Sequence, residues 1–251
     1  MLRGRVIDEC TPDEVHGNLA IEQAIFEATR STSSPLTLRF WKDTSSVILG
    51  RNQNLAEEVD EQYCEAHGIT IARRMSGGGA VYHDDGNLNI SFFVARKNLV
   101  LCKTVEEINN FFTGLLIASL ERAGVSDLNR HGSTMILFLG KKISGAAGHH
   151  DGKRILHHAT LLLSANLERM RGCLRAGPGL ETTPGGSHYY PVTNLPPFDV
   201  NTWKRELASL LGLSLSMELI PGKLSMDELA SSRSLRDEIY ATEAWIHQKQ
   251  V

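Results

Sequence analysis

Apolar side chains recur every three or four positions from Asn18 to Thr29 (NLAIEQAIFEAT), which predicts an early helix with one buried face. The period then shortens. LTLRFWKD (36–43) and SSVILGRN (45–52) are short β-rich runs joined by a polar turn around Asp43–Thr44. Glu57 to His67 returns to helical spacing and stops at Gly68, a usual residue after a helix C-terminus. ITIARRM (69–75) reads as a strand that enters a glycine run, and LNISFFVAR (88–96) as another. Thr104 to Ala123 is the clearest helix, with apolar Val105, Ile108, Phe111, Phe112, Leu115, Leu116 and Leu120 on one side.

A strand pair follows, ILFLGKKISGAAGHH (136–150) and KRILHHATLLL (153–163), around Asp151–Gly152. Asp-Gly between apolar runs signals a two-residue hairpin, whose I′ turn needs positive φ twice. Gly177 to Pro197 is rich in Pro, Gly, Thr and Ser and reads as a long loop or cover. Trp203 to Leu211 reads as a helix, and a last charged helix starts near Met226 and ends before Trp245. Strands mixed with helices and mostly joined by hairpins predict an α+β fold, its central sheet largely antiparallel and flanked by helices. A length of 251 residues permits one large domain or two small ones, and since a single core of this size is feasible, residues 1–251 are read as a single domain.

Composition narrows the function classes. The formal net charge of -3 argues against nucleic acid as the main ligand, because neutralising phosphates takes a basic surface. Cys10, Cys64, Cys102 and Cys173 lie far apart with no C-x-x-C pair, so reduced thiols are expected rather than a disulfide framework. No stretch approaches the roughly 20 apolar residues of a membrane span, and the N-terminus lacks the apolar run of a signal peptide. The expectation is a soluble cytoplasmic protein.

Three segments carry chemistry. Arg73-Arg74-Met75-Ser76-Gly77-Gly78-Gly79-Ala80-Val81-Tyr82-His83-Asp84 places three bare backbone positions behind two arginines. Such a run marks close backbone approach and can offer N–H groups to an anion, or it is a flexible turn with solvated arginines. It is neither a P-loop nor a dinucleotide fingerprint. Gly140-Lys141-Lys142-Ile143-Ser144-Gly145-Ala146-Ala147-Gly148 sets a lysine among small residues, leaving room for a ligand beside the ammonium, or it is a surface lysine on an edge strand. His149, His150, His157 and His158 straddle the hairpin turn, but neighbours on a strand face opposite ways, so a histidine metal site is not expected.

In this order and spacing, RRMSGGGAVYHDDGNLNISF (73–92), GKKISGAAG (140–148) and HHATLLL (157–163) resemble the lipoate–protein ligase family. NLAIEQAIF (18–26), VTNL (192–195) and YATEAW (240–245) agree more weakly. The resemblance implies a fold like biotin ligases and class II aminoacyl-tRNA synthetases. It implies formation of lipoyl-AMP from lipoate and ATP with Mg²⁺, then acylation of a lysine on a lipoyl carrier protein or lipoyl domain. By the family motif Lys142 contacts both the lipoyl carbonyl and the α-phosphate. Arg74, Ser76 and the Gly77, Gly78, Gly79, Ala80, Val81, Tyr82 backbone hold nucleotide and acyl group, with His83, Asn87, Gly145, His158 and Ala159 near the pocket. An ideal two-residue hairpin would instead put His157 opposite Ala146 on the lysine's face, so carrying over His158 requires a bulge or a longer turn.

The sequence also departs from the family. NRHGSTMILF (129–138) lacks the Asn-Asp that many relatives have before the lysine strand; Asp85 replaces a frequent leucine, and no arginine precedes VTNL. The chain stops near Trp245, about where the catalytic domain ends, and the resemblance to a small archaeal type implies a separate accessory subunit. Arg73, Arg74, Lys141, Lys153 and Arg154 could steer an acidic carrier or be solvated edge charges. The rival readings are an octanoyl or lipoyl transferase, which needs a thiol near the lysine, and a non-catalytic lipoyl-binding subunit.

Overall fold

The computed structural model describes residues 2–30, 33–34, 36–176 and 186–248. Its first element, β1 (Leu2–Asp13), is a strand that apolar patterning does not reveal, because Arg3, Arg5, Asp8 and Glu9 interrupt it. Then α1 (Val15–Ala28) begins ahead of Asn18, its first amides capped by the Glu14 carboxylate. β2 (Leu36–Asp43) and β3 (Ser46–Leu49) form as expected. The helix expected over 57–67 is two short ones, α2 (Leu55–Glu58) and α3 (Glu61–Ala66), because Val59 is extended and Asp60 caps Tyr63. β4 (Thr70–Arg73), β5 (Val81–His83) and β6 (Asn87–Ala95) follow.

The clearest expected helix is α4 (Val105–Arg122), held at its start by a Thr104–Glu107 capping box. β7 (Leu128–His131) and β8 (Met135–Phe138) come next. The run 136–150 is not one strand: Leu139 and Gly140 take φ of 48° and 75° and turn the chain into β9 (Lys141–His150). β10 (Arg154–Leu162) and α5 (Leu167–Cys173) lead to residues 177–185, the part of the expected loop that lies outside the described residues. α6 (Val200–Leu215) and β11 (Met217–Pro221) complete the sheet. The last expected helix is broken by a π-turn at Arg236–Tyr240 into α7 (Met226–Leu235) and α8 (Glu243–Ile246).

Eight strands pair in the order β11-β1-β2-β6-β10-β9-β8-β7, and β4-β3-β5 form a smaller sheet. Only β11–β1 and β1–β2 are parallel in the large sheet. The alternation along β2 sorts its two faces. Leu36, Leu38 and Phe40 join Phe92, Phe112, Leu116 and Trp203 beneath α4 and α6. Each such large side chain contributes about 1.5–3 kcal/mol by leaving water. On the other face Trp41 packs with Leu19, Ile48 and Ala72, between α1 and the small sheet.

Two details of register aim the site. Asp151 and Gly152 do not form a two-residue turn: only Gly152 has positive φ, and Ile155 pairs with His150, so residues 151–154 make a four-residue turn. The Asp151 carboxylate accepts the Lys153 and Arg154 amides at 3.0 and 2.9 Å, which favours this wider turn. In β9, Leu137 pairs with Lys142 but Ile136 pairs with Ser144, leaving Ile143 as an extra, bulged residue. A one-residue bulge inverts side-chain parity. Lys142 therefore shares a face with Gly145, Ala147 and His158, the partner of Ala147.

Candidate active site

The glycine run is built from inside. The Arg74 guanidinium donates to the carbonyls of Ile48 (3.1 Å), Gly77 (2.6 Å) and Gly79 (2.9 Å), and its Nε to Ser76 Oγ (3.0 Å). Drawing the carbonyls inward turns the intervening amides the other way, an anion-binding arrangement. Gly78 has φ +87°, and its carbonyl sits so close to Gly50 that a Cβ there would approach it to 1.9 Å. Burial pushes the Arg74 pKa down to about 10, eased by Glu22. Arg73 is buried too and bridges carbonyls of Gly50, Gln53, Trp245 and Ile246. Neither arginine is a surface charge, so the steering role offered for them falls away, and Arg154 is paired with Asp151.

A polar chain crosses the floor. Glu22, buried on α1, accepts Ser91 Oγ–H at 2.5 Å and faces His158 Nδ1 at 3.0 Å. Its carboxyl is pushed up by burial, but the His158 charge and the His158 and Ser91 hydrogen bonds outweigh this and hold it below the usual range. On its other side His158 Nε2 lies 2.7 Å from Ser76 Oγ, whose oxygen takes the Arg74 Nε–H. The histidine at the cavity is thus locked to the glycine loop through one serine. His157 points the opposite way, into the α4 core, where its ring stacks on Phe112 at 4.9 Å. Burial lowers its pKa to about 3, and the expectation that it shares the lysine's face is corrected by the bulge.

Lys142 lines two cavities. The larger, about 260 Å³, has apolar walls of Leu19, Trp41, Ile48, Val81 and Ala159, with Glu22, Arg74, Gly78, Gly79, Ala80, His83, Gly145 and His158 also at its surface. The smaller, about 100 Å³, is lined by Ala80, Val81, Tyr82, Thr160 and Tyr190 as well as Lys142. Burial, then the charge of Arg74, lowers the Lys142 pKa. A Cβ at Gly145 would stand 2.9 Å from Lys142 Cε and Nζ, so that glycine leaves the ammonium its place. The 191–193 strip pairs beside the lysine: Lys142 N donates to Pro191 O and Thr193 N to Lys142 O.

A cover segment reaches in from residues 186–190. Ser187 Oγ accepts from Ala80 N at 2.8 Å and Gln53 Nε2 at 3.2 Å, while Ser187 N donates to the Glu58 carboxylate. Ser76 and Gly77 support the larger cavity without lining it, and Tyr82 lines only the smaller one. Asn87 is buried, bonded to Asn89 and outside both linings. His83 is held by Asp43 at 2.8 Å, and its buried Nε2 has no partner. Sequence reasoning missed Glu22 and Trp41: each sits in an element read only as helix or strand, where only strand pairing and the sheet–helix stack bring them to the cavity.

The profile of the lipoyl protein ligase A/B catalytic domain matches residues 14–207. Lipoate–protein ligase 1 of Staphylococcus aureus is 31% identical over 240 residues, covering 91% of this chain and 68% of its own length. The chain spans a smaller share of other curated relatives, 60% of one from Aeropyrum pernix and 49% of one from Bacillus subtilis. Among solved structures, protein Ta0514 of Thermoplasma acidophilum with bound lipoic acid superposes with a TM-score of 0.80 at 27% identity, over 98% of this chain and 100% of that one. A lipoate-protein ligase A bound with ATP gives 0.83 at 26%, over 98% and 99%. A bipartite T. acidophilum lipoate protein ligase, described with its E2 lipoyl domain, gives 0.82 at 24%, over 100% and 99%, a likeness of fold. With its glycine loop, its bulged lysine strand and a profile match over most of its length, the chain belongs to the lipoyl protein ligase A/B catalytic-domain family.

Proposed function

We propose that this chain is a lipoate–protein ligase that joins lipoate to ATP and passes the lipoyl group to a carrier lysine. The observation that carries the reading is Lys142 at the meeting of two cavities, the larger of which has apolar walls and also Arg74, Gly78 and Gly79 at its surface. The apolar walls of the larger cavity suit the lipoyl chain, with its carboxylate toward Lys142, and the glycine-loop backbone beside it suits the phosphate that Lys142 also meets. A carboxylate oxygen attacks the α-phosphorus, the bond to the bridging pyrophosphate oxygen breaks, and lipoyl-AMP forms. Negative charge crowds on the α-phosphate as this happens, and the half-buried Lys142 ammonium stabilises it. The carrier's lysine amine then attacks the acyl carbonyl, and AMP leaves.

Glu22 is the only described carboxylate of the larger lining and is engaged by His158 and Ser91, and no described group of three or more His, Cys, Asp or Glu fits a metal ion. Mg²⁺ enters this reading with ATP, held by the phosphates and few protein groups. No described cysteine lines either cavity, which disfavours the thioester transferase. The lipoyl-domain partner is supported by the bipartite Thermoplasma ligase, a protein of the same fold described together with its E2 lipoyl domain. A separate accessory component and a cytoplasmic setting belong to the same reading; no described helix is long and apolar enough to cross a membrane.

The test is lipoate-dependent exchange of pyrophosphate into ATP, with and without a candidate accessory protein. Wild type should exchange and Lys142→Ala should not. Because burial lowers the Lys142 pKa, exchange should also fall with rising pH earlier than an exposed lysine would dictate, as the ammonium loses its proton. Absence of exchange together with octanoyl transfer from an acyl carrier would overturn the ligase reading.

A further inference from the structure

The carboxylate of Glu22 has no use in the acyl cavity that it lines. It lies on the buried face of α1 with Leu19, Ala20, Ile25 and Phe26, at 1% exposure. A carboxylate in such surroundings costs free energy unless hydrogen bonds and charge offset it. Its partners come from the sheet. Ser91 Oγ, which takes the Trp41 Nε1–H at 2.8 Å, donates to it at 2.5 Å, and both of its oxygens stand 3.0 Å from His158 Nδ1. Beyond the ring the contacts lead to the glycine loop. His158 Nε2 lies 2.7 Å from Ser76 Oγ, that oxygen takes the Arg74 Nε–H at 3.0 Å, and the Arg74 guanidinium holds the Gly77 and Gly79 carbonyls. The Ser76 carbonyl in turn accepts the Arg51 amide at 2.8 Å.

We propose that Glu22 is a positioning residue for the nucleotide side of the site: through His158 and Ser76 it fixes the Arg74 guanidinium, and with it the glycine-loop backbone that meets the phosphate. The proposal rests on the ligase reading, in which that backbone stands beside Lys142 at the α-phosphate. A lipoyl tail in its disulfide form carries no cation and no hydrogen-bond donor, so it gives a buried carboxylate nothing. The imidazole is the joint of the chain. Two oxygens straddling Nδ1 set the rotation of the ring, and a rotated ring takes Nε2 away from Ser76 Oγ. Charge acts in the same direction, because burial lowers the Arg74 pKa to about 10 and Glu22 counters that loss. Glu22→Gln keeps the side-chain volume but leaves one oxygen where two served His158 and Ser91, and it removes the charge. The loop then loosens, while Leu19, Trp41, Ile48 and Val81 still wall the acyl cavity.

The experiment follows lipoate-dependent exchange of pyrophosphate into ATP for wild type, Glu22→Gln, Ser76→Ala and the double variant, varying ATP and lipoate separately. Each single substitution should raise the KM for ATP about tenfold, the size of a lost hydrogen bond to a charged group, and leave the KM for lipoate within about twofold. Because both residues act on one chain, the double variant should be no worse than either single one. A rise confined to the lipoate KM would make Glu22 a wall of the acyl pocket, and effects that multiply in the double variant would show two separate actions; either result overturns the proposal. If Glu22→Gln does not fold, Glu22→Asp, which draws the charge back from the ring by one methylene, takes its place in the cycle. A second readout needs no ligase chemistry. The Arg51 amide, bonded to Ser76 O, should exchange with deuterium about tenfold faster in the folded Glu22 variant, while α4 core amides stay protected. Unchanged uptake there also overturns the positioning role. A wild type that exchanges no pyrophosphate, with this difference in uptake present, would overturn the ligase reading and leave the link from Glu22 to the loop standing.

Discussion

At the level of single residues, the site depends on which atoms are already committed. Arg74 is cationic, but most of its donors hold loop carbonyls, so its work is to shape the glycine run more than to meet a ligand head-on. Lys142 is the opposite case, a half-buried ammonium lining both cavities, given its place by the missing side chain of Gly145. Gly145→Ala tests this, because its methyl would meet the flexible end of Lys142 and no backbone. Stability should change by no more than about 0.5 kcal/mol. Adenylation should fall about a hundredfold, the usual result of moving a reacting group by roughly an ångström. Unchanged exchange kinetics in a folded Gly145→Ala protein would show that the ammonium position does not matter.

Among the elements, the segment 186–190 and the glycine loop hold each other. Ser187 takes the Ala80 amide, a donor of the same run that would face a phosphate, and Glu58 fixes the Ser187 amide. Ser187→Ala removes an acceptor shared by Ala80 and Gln53, a loss of about 1 kcal/mol, which corresponds to a roughly fivefold rise in local opening. Hydrogen exchange at the Ala80 amide should speed up by that factor while α4 core amides stay protected. Equal exchange in both proteins would mean the serine does not hold the cover. The β9 bulge is the other decisive device: without the extra residue at Ile143, Lys142 would share a face with His157 and the helical core.

Across the molecule, the two faces of one sheet divide the labour. The α4–α6 face is a dry core, and the α1 face carries polar chains and the cavity. His157 marks the boundary, buried in the core with neither ring nitrogen partnered. Its pKa is near 3 in the folded chain and rises to its ordinary value on unfolding, so only the unfolded state binds a proton between them. Stability from this group is therefore complete above about pH 6.5 and falls by about 1.4 kcal/mol per pH unit below it, until the folded pKa is reached. His157→Phe should flatten that acid limb in urea unfolding measured from pH 7 to pH 4. An unchanged slope would mean the ring is protonated in the folded protein.

Local chemistry is legible in the chain itself. The helix at Thr104–Ala123 carries its own capping box, and the triple glycine and the lysine among small residues stand out in the chain as a candidate site. Those features depend on neighbours in the chain, and the chain displays them. What depends on distant pairing is not legible there. β1 is stabilised by strands from residue 36 and residue 217, whatever its own charges suggest. The choice between His157 and His158 turns on one bulged residue across a hairpin, and Glu22 reaches the cavity only because α1 packs on β6 and β10. Side-chain parity and cross-chain contact are properties of register and packing, and those are decided only when the sheet is assembled.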